Sequence, residues 1–228
     1  RQLLPQVVIP ELPEDITAWP TILDSLDVLA RFSTSDEDST KVAQYRQKSA
    51  FASALTEARD RVEFLKSIAM RPEALQLSDD LLARAEQLCQ KTNQFNLTTK
   101  RYTESNIQNF INDPNSNVYA FSVSDKFGDS GVTGLSIVTT NGNAENAKID
   151  TLLMSCRVIG RNIEYAFIDY VIEKIKEKKI NVIKARYIKT PKNKHVKEFY
   201  DKCSFSLSDE DDSYRNYTLG ISNYEPKH

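Results

Sequence analysis

The sequence predicts an α/β protein, an α+β arrangement of helices on a mixed sheet. Three observations point there. Residues 118–125 and 132–140 alternate apolar and polar side chains with the period of half-buried strands. Residues 161–179 put Ile163, Ala166, Phe167, Tyr170, Val171 and Ile175 on one helical stripe. Strand-like runs at 148–158 and 181–188 stand on either side of that helix.

Taken in order, residues 5–15 read as a short buried strand closed by prolines. Residues 16–29 read as a helix interrupted near Pro20, and 33–70 as one long helical region with a cap around Ser35 and Asp36. Pro72 ends it. A helix from about Ser78 to Lys91 follows, with Asp79 and Asp80 favourable in its first turn. Residues 91–102, KTNQFNLTTKRY, are polar and aromatic without a helical stripe. Thr103 caps a short helix that stops before Pro114. The strands at 118–125, 132–140 and 148–158 are separated by turns at 127–131 and 141–143, where Gly, Asp and Asn gather. A last helix covers 193–203, and two closing strands complete the chain.

Composition narrows the function. The 228 residues are 40% hydrophobic and 27% charged, as in a globular protein. No apolar run approaches the roughly 20 residues that cross a bilayer, so no membrane segment is expected. The net charge of -2 gives no global attraction to nucleic acid. Two histidines provide no metal cluster, and no metal is expected within these residues. Three widely spaced cysteines suit reduced thiols in a cytoplasmic protein. Charge is uneven: residues 11–80 hold fourteen acidic and eight basic residues, whereas 173–202 hold eleven basic and four acidic. The second stretch reads as a docking surface for an acidic partner or as a solvated helix end.

The most informative stretch is SCRVIGRNIEYA, 155–166, where a strand run passes into a helix. Such a junction offers unpaired backbone N–H groups to an anion. Gly160 allows close backbone approach, and Arg157 and Arg161 add charge-assisted contacts. An ordinary β-α turn is the alternative.

The element order and two motifs resemble the GNAT acyltransferases. Arg157-Val158-Ile159-Gly160-Arg161-Asn162 is similar to that family's Q/R-x-x-G-x-G/A loop, with Asn162 departing at the last, small position. Residues 193–205 match its N-x-x-A-x-x-[FL]-Y-x-x-x-G-F segment at Asn193, Phe199, Tyr200 and Phe205. The resemblance implies a GNAT-like fold that binds CoA, or the phosphopantetheine of an acyl carrier protein, through Arg157, Gly160, Arg161, Asn162 and Asn193. Asn162 is expected to crowd a tightly held pyrophosphate. The pantetheine arm is expected to pair with the strand at about 150–156, with its thioester in the splay before 181–188. Asn93, Gln94 and Asn96 are expected to line the acceptor entrance, or else to cap a loop. Tyr200 is the candidate general acid and Cys156 the candidate acyl-carrying nucleophile; packing is the alternative for both.

VVIPELPED, KTNQFNLTTKRYTE, DKFGDSG and LLMSCRVIGRNIE together resemble FkbH-like proteins, which join a HAD-type phosphatase domain to a GNAT-like domain. This resemblance implies a division into 1–32, the HAD tail; 33–77, a helical linker; and 78–228, the GNAT-like domain. It places the HAD Asp-x-Asp strand and its Mg²⁺ before Arg1. It implies transfer of an acyl, possibly glyceryl, group involving an acyl carrier protein, with a small phosphorylated hydroxyacid as substrate of a longer protein, in polyketide or surface-polysaccharide assembly. The alternative is a carrier-binding module without chemistry of its own. Residues 36–40 spell Asp-x-Asp-x-Thr, but in a helix-cap setting rather than at a strand end, and are not read as a phosphatase nucleophile.

Overall fold

The computed structural model describes residues 10–26, 36–140, 145–222 and 224–226, with side chains for all of these except 36–42. The Ser35 cap, the 141–143 turn and residues 5–9 of the expected strand at 5–15 fall outside those residues, and 10–15, where Pro10 and Pro13 interrupt the chain, form no strand. Two compact units divide the chain, Arg1–Arg46 and Gln47–His228.

In the first unit, Asp15 accepts from Thr17 N at 3.0 Å and caps a 3-10 turn, Ile16–Ala18. Helix α1 (Trp19–Asp24) follows, with Pro20 in its first turn, where a missing N–H costs nothing. The Trp19 indole donates to Pro13 O at 2.8 Å. Residues 36–40 lie in helix α2 (Asp36–Glu57).

The helical region expected over 33–70 consists of two helices. Helix α3 (Arg61–Ser67) starts afresh because Asp60 accepts from the N–H groups of Val62 and Glu63 at 2.6 and 2.9 Å. Phe51, Phe64, Leu65 and Ile68 form a small core with Phe127. Strand β1 (Arg71–Gln76) then opens the sheet, ahead of residue 78 where the sequence reading starts the domain. With only Ala74 and Leu75 strongly apolar and Pro72 near its start, it suits only a sheet edge.

The remaining elements are α4 (Leu82–Lys91), β2 (Phe95–Asn96), α5 (Glu104–Asn112), β3 (Ser116–Asp125), β4 (Gly128–Thr140), β5 (Asn146–Met154), α6 (Ile163–Glu177), β6 (Val182–Ile188), α7 (Phe199–Lys202), β7 (Ser206–Glu210) and β8 (Tyr214–Gly220). Thr103 and Asn106 form a reciprocal capping box on α5. The strands make one mixed sheet in the order β1-β3-β4-β5-β6-β8-β7, with β2 attached to β5. Among the described pairs only β5–β6 is parallel, which the α6 crossover permits.

Alternation along the strands fills both faces. Val118, Ala120, Leu135, Ile137 and Leu153 face Ala85, Leu88 and Cys89 of α4 and Ile107 of α5. Tyr119, Phe121, Val138, Ile149 and Leu152 face Phe167, Ile168, Val171 and Ile172 of α6. Gly134 belongs at the second face: a Cβ there would lie 3.1 Å from both Phe121 Cβ and Phe167 Cε1.

Two expected boundaries move. The strand expected over 148–158 ends at Met154, because Val158 N–H turns back to Ser155 O at 3.2 Å. The last helix, expected over 193–203, is a 3-10 turn, Lys194–Val196, followed by α7.

Candidate functional site

Parallel pairing of β5 with β6 runs only from Asn146↔Val182 to Lys148↔Lys184, after which the strands part. The gap is filled by the chain itself. Phe95 pairs with Met154 and Asn96 with Leu153, antiparallel. Leu97 N–H donates to Leu152 O at 3.1 Å, while Leu97 O accepts from Ile188 N–H at 2.7 Å. The Thr98 hydroxyl reaches Asp150 O at 3.1 Å. Residues 95–98 thus bridge both strands, and all four side chains are buried. Phe95 meets Phe199 edge to face, ring centroids 5.0 Å apart.

The polar residues around this segment support it. Asn96 Nδ2 donates to Thr92 O at 3.4 Å and its Oδ1 accepts from Thr99 N–H at 2.8 Å. Asn193, fully buried, donates from Nδ2 to Asn96 O at 3.0 Å and Ile188 O at 2.9 Å. Its Oδ1 accepts from Thr190 N–H at 2.8 Å and Tyr187 OH at 3.1 Å, so the whole amide is engaged. Asn93 Oδ1 accepts from Arg101 at 2.5 Å. The same guanidinium donates to the carbonyls of Cys89, Gln90 and Thr92, closing the C-terminal end of α4. Gln94 is exposed.

The turn at 155–162 holds the other candidates. Gly160 has φ +93° and Asn162 φ +63°, both left-handed. Asn tolerates that region better than most residues, which accounts for Asn162 at the N-cap of α6. Arg61 donates to Gly160 O at 2.9 Å. Cys156 is exposed, and Arg157 Nε donates to Ser155 Oγ at 3.3 Å. Arg161 turns inward: it is 2% exposed, 2.6 Å from the Asp125 carboxylate, and stacks over the Phe51 ring at 4.6 Å. Burial lowers its pKa, and Asp125 opposes that shift. The turn therefore brings Cys156, Arg157, Gly160 and Asn162 together and takes Arg161 into the core.

Tyr200 is buried among Phe199, Phe205 and Tyr217, with centroids 5.6, 5.0 and 5.4 Å away. Its hydroxyl has no hydrogen-bond partner among the described residues. Burial, with Cys203 and Tyr217 adding to it, holds its pKa well above the ordinary value, so it stays protonated.

Sequence reasoning missed Asp150. Its carboxylate, buried mid-strand on β5, accepts from Tyr102 OH at 2.6 Å and from Lys100, with Lys148 at 3.9 Å. Burial and then Asp150 push the Tyr102 phenol upward. An acidic residue inside the apolar run KIDTLLM was the available signal. A cleft of about 490 Å³ also lies beside the end of β6, lined by Tyr187, Lys189, Lys197, Asp211, Asp212 and Arg215 among others.

These residues do not fit a pantetheine arm laid along β5, because the border of that strand toward β6 at 152–154 is already bonded to residues 95–97. Among the described residues no cluster of His, Cys, Asp and Glu suits a metal, and no helix is long and apolar enough to cross a membrane.

No family model and no curated protein matches the chain. Solved structures do. The ribosomal-protein-S18-alanine N-acetyltransferase from Escherichia coli aligns with TM-score 0.52 at 10% identity, over 69% of this chain and 99% of that one. Spermidine N-acetyltransferase from Vibrio cholerae aligns with TM-score 0.51 at 14% identity, over 67% and 95%. A domain from Methanocaldococcus jannaschii aligns with TM-score 0.52 at 14% identity, over 66% and 99%. The mixed sheet and its helices have the fold of the GNAT acetyltransferases.

Proposed function

We propose that this chain serves acyl transfer, moving an acyl group, glyceryl among the candidates, to or from a pantetheine thioester on an acyl carrier protein or CoA. Polyketide or surface-polysaccharide assembly is the setting, a reducing cytoplasm the location, and a small phosphorylated hydroxyacid the substrate of a longer protein carrying a Mg²⁺-dependent HAD-type domain. The observation that carries the reading is the GNAT-type sheet joined to α6 by a turn with left-handed Gly160 and exposed Cys156. Aligned neighbours named as N-acetyltransferases support it at the level of fold.

In this reading the Cys156 thiol attacks the thioester carbonyl at the surface of the turn, the acyl group passes to its sulfur and the pantetheine thiol leaves with the proton; Ser155 and Arg157 are its polar neighbours along the chain. Exposed Lys189, Lys192, Lys194 and Lys197 steer an acidic carrier toward the same domain. The test is intact mass after incubation with an acyl-CoA, for the native chain and for Cys156→Ala, beside a turnover assay. An adduct on the native chain that vanishes in the variant supports covalent transfer. Turnover without any adduct moves the reading to direct transfer, and neither sinks it.

A second reading is a carrier-binding module without chemistry of its own. It is favoured by the occupied edge of β5 and by the fully engaged amide of Asn193. Carrier binding without turnover is its signature.

A further inference from the structure

We infer that residues 95–98 are a resident strand, occupying the place between β5 and β6 that an extended ligand would take, so that a pantetheine arm is shut out of the sheet. The identity of the excluded ligand rests on the acyl-transfer reading; the occupied place itself does not.

Bonding on both sides carries the inference. Toward β5 the segment pairs through Phe95, Asn96 and Leu97; toward β6 it accepts from Ile188 N–H. A loop merely covering a groove would touch one side. Segments that open readily have few buried apolar contacts and solvent-exposed backbone bonds. Here Phe95 and Leu97 sit in the same core as Met154, Tyr187 and Phe199. Withdrawal would strand Leu152 O, Ile188 N–H, the Thr98 hydroxyl's acceptor on Asp150 and the amide of Asn193. A ligand's own amides can pair with the strand backbones, but withdrawal of the segment also breaks the bond from Asn193 Nδ2 to Asn96 O. The ends are fixed as well, by Arg101 on the α4 side and by the Asn96–Thr99 bond within the segment.

The test is amide hydrogen exchange on the 228-residue chain with and without millimolar CoA, read at Leu97 and Ile188, the two amides that bond across the segment. With a resident strand, CoA changes neither rate by more than about twofold. Acceleration of about tenfold or more at both amides overturns the inference, since the strand then leaves to admit the ligand. An acyl-CoA turnover assay on the same samples separates the two ideas. Turnover with both amides protected leaves both standing. Protection without turnover keeps the resident strand and removes the transferase reading. Turnover with accelerated exchange keeps the reading and removes the resident strand.

Discussion

The side-chain amide of Asn193 donates to the main-chain carbonyl of Asn96 at 3.0 Å, tying together positions 97 residues apart in the chain. The same amide also holds Ile188 O, Thr190 N–H and Tyr187 OH. Asn193→Ala leaves these buried groups unpaired and is expected to destabilise the chain by about 2–4 kcal/mol. Urea denaturation measures it; a loss below about 1 kcal/mol would mean that the bonds are replaced without difficulty.

Arg161 and Asp125 form a buried ion pair at 2.6 Å, with Asp125 also capping Phe127 N–H at 2.8 Å. Removing one partner leaves the other charged and buried. Asp125→Ala should therefore cost about 3–5 kcal/mol, while Arg161→Met combined with Asp125→Leu should lie much closer to the native chain. A double-mutant cycle in urea decides; equal losses for the single and double variants would refute the pairing.

Gly134→Ala should lower stability by about 1–3 kcal/mol, because the new methyl group presses on Phe121 and on the Phe167 ring of α6. Thermal melting followed by circular dichroism reads it. A neutral result would show that the face under α6 has room to spare.

Thiol reagents should modify Cys156 first. It is exposed, whereas Cys89 and Cys203 are buried. Burial raises the Cys89 thiol to about 11, which keeps it protonated at neutral pH. Native-state labelling followed by intact mass should give one adduct, with two more only after unfolding. Early labelling at Cys89 would contradict the placement of α4.

Stability should fall in alkali. Burial raises Cys89 from 9.0 to about 11, and Tyr119 and Tyr217 from 10.0 to about 12. The unfolded chain releases these protons at the lower values while the folded chain retains them. Their contribution is complete below about pH 9 and is lost as pH climbs from there toward about 12. Urea midpoints at rising pH should decline, with a shallower decline for Tyr119→Phe. A flat profile would rule this out.

Much of the sheet was legible because half-buried strands write their two faces into alternate residues, as at 118–125 and 132–140. Thr103 announced α5 through its capping chemistry. β1 was not legible: RPEALQ carries a proline and little apolar surface, as an edge strand allows. Residues 95–98 looked like a polar loop because their amide and hydroxyl side chains are paired internally. Phe95 and Leu97 alternate with Asn96 and Thr98, but two repeats are too few to distinguish a strand from chance. Arg161 looked like a phosphate ligand because its partner, Asp125, lies on another strand, at a distance no local pattern reveals.

The sheet has two outer borders and one inner one. The β1 border carries Arg71, Pro72 and Glu73, and the exposed β7 border carries Asp209 and Glu210. Proline cannot donate to an added strand, and charge discourages one. The inner border, the apolar and most adhesive stretch of β5, is sealed by the chain's own residues 95–98. Crowded copies of this domain therefore find little purchase for strand-to-strand aggregation. The substitution most hazardous to its solubility is one that loosens Phe95 or Leu97 and bares that seam.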